Sequence, residues 1–150
     1  MIPLQIIYWI LDPYYHFFAT NGMVQDVQQK LGRWGFQILA VVILPWVETL
    51  LGQGLPWMIT RLLRLPATVF LWVATIGFAF LHGLGFQGPD FWVMFLGHLI
   101  AAYLLAFTFL QGERGSDWRA IWMTSAVHML SNLVVGVSDE LAVFAKHVTS

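Results

Sequence analysis

Four long apolar stretches divide the chain, separated by short polar turns: roughly residues 34–63, holding "FQILAVVILPWVETLLGQGLPWMITRLL"; 66–86, "PATVFLWVATIGFAFLHGLGF"; 91–110, "FWVMFLGHLIAAYLLAFTFL"; and 118–137, "WRAIWMTSAVHMLSNLVVGV". Each approaches the roughly 20 residues with which a helix crosses a bilayer. Helix is the expected state, because a backbone facing lipid must satisfy its own hydrogen bonds, and the alternating polarity of barrel strands is missing. The pattern predicts an all-α polytopic membrane protein, a helical bundle of four core transmembrane helices. Pro45 and the Gly52, Gly54, Pro56 cluster predict that the first of these helices is long, tilted and kinked.

Ahead of the core, "MIPLQIIYWILDPYYHFFAT" is apolar and rich in Tyr and Trp, with Pro13 to break a helix. It reads as an N-terminal apolar helix, a short span or an interfacial one. It lacks a basic n-region and is interrupted by Asp12-Pro13, so a cleavable signal peptide is not expected and the mature chain is expected to start here. The polar stretch "NGMVQDVQQKLGR" follows, with the Asn and Gly of a turn and enough charge to stay outside hydrocarbon. The expected organisation is therefore 1–33 leader and linker, 34–137 core, and 138–150 C-terminal tail. No internal repeat or low-complexity tract stands out.

Composition agrees with a membrane solvent: 59% of the 150 residues are hydrophobic and only 10% are charged, against about 25% charged in a soluble domain. The partner this implies is the lipid bilayer. A formal net charge of −1 gives no electrostatic reason to expect a nucleic-acid partner. Cysteine is absent, which removes disulfides, thiolate ligands and a cysteine nucleophile. Arg61 and Arg64 mark the first core turn, Arg114 and Arg119 the third, which places both turns on the cytoplasmic side. Lys30 and Arg33 pull the other way.

Polar side chains inside the apolar stretches cost about 3 kcal/mol each to insert, so they are candidates for function. They are Glu48, Thr49 and Gln53 on the first core segment, His82 on the second, His98 on the third, and Ser125, His128, Ser131 and Asn132 on the fourth. Glu48, His82, His128 and Asn132 come from three helices that a bundle can bring to one point. Two imidazoles with oxygen ligands suit zinc, which acidifies a bound water. Without metal, the carboxylate can take the proton from water while imidazole and amide stabilise an oxyanion. Both routes lead to acyl hydrolysis. The plain alternative for any one of these residues is interhelical glue worth about 0.6 kcal/mol, and His98, alone on its helix, is assigned to packing or hydrogen bonding. His16 and His147 are given no role. H-E-x-x-H, G-x-S-x-G and a second intramembrane aspartate to pair with Asp90 are all missing, which argues against zincin, serine and aspartyl routes.

The ordered motifs "ETLLGQ", "FAFLH" and "HMLSN" resemble the CPBP (Abi) family of intramembrane CAAX prenyl proteases and bacteriocin-processing enzymes, over roughly residues 36–137. Family members carry Glu-Glu-x-x-x-Arg, Phe-x-x-x-His and His-x-x-x-Asn on separate helices. The second motif stands here as Phe78 to His82 and the third as His128 to Asn132. The first departs: Glu48 is kept, but Thr49 and Gln53 replace the second glutamate and the arginine, a paired loss that a neutral Thr49–Gln53 hydrogen bond would compensate. The resemblance implies a peptidase of the bacterial inner membrane in which Glu48 and His82 activate water while His128 and Asn132 bind the oxyanion, with Thr49 and Gln53 supporting the glutamate. A peptide or membrane-protein segment, prenylated or not, is the implied substrate. The metal version has His82 and His128 hold Zn2+; with only two nitrogen ligands, water activation without an obligatory metal is expected. The competing expectations are a non-catalytic membrane binding or immunity protein of the same fold, motivated by the altered first motif, and a small metal-binding or transport subunit.

Overall fold

A computed structural model describes residues 22–84 and 88–149, all of whose regular elements are helical. The expected N-terminal helix, with His16, lies outside the described residues. Helix α1 spans Gly22–Ile38, α2 Leu44–Thr49, α3 Leu55–Leu62, α4 Ala67–Gly83, α5 Pro89–Glu113 and α6 Asp117–Thr149. Three stretches are long and apolar enough to cross a membrane: Trp34–Leu62, Pro89–Glu113 and Asp117–Val137. Helix α4 is apolar but shorter.

The polar stretch read as a turn is instead helical. Val24, Val27 and Leu31 recur at helical spacing, and Asp26 and Lys30 form an exposed i,i+4 ion pair at 2.7 Å. The break falls at Gly32, whose φ of 69° belongs to the left-handed region where glycine is at ease. The apolar run begins two residues later.

The first core helix does not break at its prolines. Two π-helical turns, Leu39–Ile43 and Leu50–Gly54, join the part of α1 after Gly32 to α2 and α3 in one continuous run. Each turn ends immediately before a Leu-Pro-Trp triplet, at Leu44-Pro45-Trp46 and again at Leu55-Pro56-Trp57. A proline cannot donate to the carbonyl four residues back. The residue before it therefore bonds five back, Leu44 N–H to Leu39 O and Leu55 N–H to Leu50 O, and the chain widens at both points. The triplet repeats at an interval of 11 residues, a short internal repeat that inspection of the sequence missed.

Lipid is as apolar as leucine, so helices in it associate by close packing of small residues. The bundle follows that rule. Ala74, Ala79, Ala102, Ala106 and Ala120 are buried with Phe70, Phe78 and Phe109, while Leu62, Trp72, Ile100 and Leu130 face outward. Helices α5 and α6 approach so closely at Gly112 that a Cβ there would lie 2.5 Å from Ala120 Cα. That neighbour is backbone and cannot turn aside, so Gly112→Ala should cost about 1–3 kcal/mol. A Cβ at Gly97 meets nothing within 4 Å, and Gly97→Ala should leave the melting temperature unchanged. Equal melting of the two variants in detergent would refute the packing argument.

At one end of the bundle Arg61 pairs with Asp117 at 3.0 Å, and the Trp57 indole N–H donates to the same carboxylate at 3.3 Å. This pair places both arginine-bearing turns at that end. Arg64, with φ 53°, closes the first of them, where Leu65 N–H reaches back to Thr60 O at 2.8 Å.

Candidate active site

The polar side chains gather well inside the bundle. At about 1.5 Å of rise per residue from the arginine-bearing turns, His128 lies roughly 16 Å in, Glu48 roughly 20 Å, and His82 and His98 roughly 22 Å. Four residues from different helices thus share a level near the turn that joins α4 to α5.

Glu48 sits in α2, between the two π turns, a kind of helical irregularity that is frequent at functional sites. Its Oε2 lies 3.3 Å from His128 Nε2 of α6, with His128 almost wholly buried and 32% of the Glu48 side chain accessible. The carboxylate is therefore held by an imidazole on one side and reachable on the other. Phe78 of α4 touches imidazoles from two helices: its ring stacks on His82 at 4.3 Å and meets His128 edge-on at 5.5 Å. The phenylalanine of "FAFLH" is thus in contact with both histidines.

His82 Nδ1–H donates to Phe78 O at 2.9 Å. A carbonyl only accepts, so this bond fixes the tautomer of a neutral ring and leaves the lone pair on Nε2. His98 repeats the arrangement on α5, donating from Nδ1 to Met94 O at 2.7 Å. Its ring lies 4.5 Å from that of His82. The assignment of His98 to hydrogen bonding holds for Nδ1, but the residue also stands beside the candidate site. Sequence gave no signal of this, because the neighbouring histidine is on another helix.

Asn132 faces the first core helix, where Nδ2 donates to Ala40 O at 3.0 Å within the first π turn. One of its two amide N–H groups is thereby engaged, tying α6 to the widened turn. Thr49 and Gln53 are fully buried beside Glu48, yet neither side chain finds a hydrogen-bond partner. The neutral Thr49–Gln53 bond expected from sequence is not formed. Ser131 is exposed, whereas Ser125 is buried.

Among the described residues no group of three or more His, Asp or Glu side chains is placed to hold a metal ion. A groove of about 500 Å³ begins one turn from Glu48, at Leu50 and Leu51, and runs past Met58 to Arg61 and Asp117. Its walls are largely apolar.

No family model matches the chain, and neither a curated protein nor a solved structure matches it.

Proposed function

We propose that the chain is an intramembrane endopeptidase of the CPBP type, hydrolysing a peptide bond near the surface of a bacterial inner membrane. In this reading α4 is the fourth core span: its 17 residues reach about 25 Å, close to the hydrocarbon thickness. The observation that carries the proposal is the Glu48–His128 contact at 3.3 Å in an apolar interior, with His82 one ring away.

The chemistry needs a base, a water and a place for negative charge. The accessible oxygen of Glu48 takes a proton from water as the water oxygen attacks the carbonyl carbon. The resulting oxyanion is met by the second amide hydrogen of Asn132 and by His128 Nε2–H, which the carboxylate releases as it takes up the proton. Collapse breaks the C–N bond, and the proton held by Glu48 leaves on the amine. His82, its tautomer fixed by Phe78 O, presents Nε2 as an acceptor that orients the water. The apolar groove beside Leu50 suits a prenyl or other lipid tail on the substrate.

The test is cleavage of peptides by the full chain in lipid nanodiscs, with and without a prenylated cysteine. Cleavage is expected, and expected to vanish in Glu48→Gln. Dialysis against a divalent chelator is expected to leave the rate unchanged; loss restored by Zn2+ would replace the route above with a metal-dependent one. A second reading, a non-catalytic binding or immunity protein, draws support from Asn132, whose amide is partly engaged by Ala40 O. Protection or partner binding that survives in a Glu48/His82 double variant would favour it.

A further inference from the structure

Three hydroxyls elsewhere in the bundle are satisfied by their own helix. Thr75 donates to Leu71 O at 2.6 Å, Thr108 to Leu104 O at 2.7 Å, and Thr60 to Trp57 O at 2.9 Å. Between the first core helix and α6 this habit stops. Thr49 Oγ1, both amide atoms of Gln53, Thr124 Oγ1, Ser125 Oγ and His128 Nδ1 are all buried without a partner. Thr49, Gln53, Thr124 and Ser125 are 0% exposed.

These atoms are not scattered. Thr49 and Gln53 are four apart on one helix, as are Thr124 and His128 on the other, so each pair lies on one face. The Glu48–His128 and Trp46–Trp122 contacts bring the two helices together at this level. These contacts set the unpartnered atoms of the two elements at adjoining levels, a polar seam inside the bundle that starts beside the Glu48 carboxylate.

Buried polar groups in native proteins are almost always paired, with ordered water completing what side chains leave open. The chemistry of the seam selects water. Three hydroxyls and a carboxamide each donate and accept, and none carries a charge that would call for an ion. We propose that the seam binds a short file of internal water molecules bridging Thr49 and Gln53 to Thr124, Ser125 and His128 Nδ1. Such a water donates to His128 Nδ1, the ring's remaining acceptor once Nε2–H donates to the Glu48 carboxylate. On the hydrolase reading proposed above, the same file supplies the water that Glu48 deprotonates; the binding of water does not depend on that reading.

The experiment uses the full chain in lipid nanodiscs. X-ray radiolytic labelling marks side chains beside bound water even where bulk solvent is excluded. Labelling is expected in the segments 49–53 and 124–128. It should fade in a Gln53→Leu/Thr124→Val double variant and persist in Thr124→Ser, which keeps the hydroxyl. In a wet seam Thr49→Val and Thr124→Val each remove a hydrogen-bonding partner, so the melting temperature should fall by roughly 3 °C or more. In a dry seam the same changes remove an unpaired buried hydroxyl and the melting temperature rises. An unlabelled seam, or valine variants that melt at or above the wild-type temperature, overturns the proposal. Neither readout involves turnover, so a dry seam leaves the role of Glu48 untouched. Wild-type cleavage in Glu48→Gln would sink the hydrolase reading and leave the seam standing.

Discussion

Glu48→Gln is expected to lower peptide hydrolysis by about 10³-fold, within the range a positioned general base supplies, while the melting temperature stays near that of the wild type. Glutamine matches glutamate in shape, and its Oε1 can still accept from His128 Nε2, now 3.3 Å from the carboxylate. What the amide lacks is the ability to hold a proton taken from water. The loss should therefore fall on kcat, with little change in KM, because on the proposed reading the substrate's tail lies along the apolar groove and does not use this oxygen. The stability control matters here. His128 is nearly sealed from solvent, and Glu48→Ala would strip its Nε2 of a partner, mixing a folding defect into the rate. Turnover in Glu48→Gln within a few-fold of the wild type, at unchanged melting temperature, would remove Glu48 from the reaction.

How the chain announces its structure depends on whether a feature is local. The third core segment, expected over 91–110, is realised as Pro89–Glu113 because an uninterrupted apolar run flanked by polar turns has one solution in lipid. The prolines of the first core segment left its local form open for a physical reason. Pro45 and Pro56 each remove a hydrogen bond, and a helix can answer by breaking, bending or widening; sequence alone does not choose among these. The repeated Leu-Pro-Trp triplet was the available clue, since the same local answer was due twice. The polar stretch before the core carries an amphipathic pattern at Val24, Val27 and Leu31 that its Asn and Gly obscured. Within the site, the spacings of "FAFLH" and "HMLSN" marked residues that do face inward. Contacts between helices were beyond reach: that Phe78 would touch both His82 and His128, that His98 would stand against His82, and that Thr49 and Gln53 would lie unpaired beside each other are matters of packing.

Gly52 shows how strongly such packing can bear on the chemistry. It lies in the second π turn, within "ETLLGQ", and its missing side chain is filled by Phe78: a Cβ there would come 2.7 Å from Phe78 Cδ2. The phenyl ring has nowhere easy to go, since it is 4% exposed and lies against His82 on one side and His128 on another. Gly52→Ala must therefore shift the ring, and with it one or both imidazoles. Overpacking of this kind costs about 1–3 kcal/mol of stability. On the proposed hydrolase reading, displacing these imidazoles by an ångström is enough to cost about 10²-fold in rate. Both losses are expected together, read as a lowered melting temperature and a lowered kcat. Gly54→Ala two residues on is the matched control, because a Cβ there meets only Thr49 O, at 3.8 Å; it should keep both quantities, and ordinary helix propensity favours alanine. If the ring is the cause, trimming it should help. Gly52→Ala/Phe78→Leu is expected to melt above Gly52→Ala alone while recovering only part of the rate, since leucine relieves the clash but does not pack against the two imidazoles as the phenyl ring does. Equal behaviour of the two glycine variants, or no gain from Phe78→Leu, would show that the first motif does not act on the histidines through this contact.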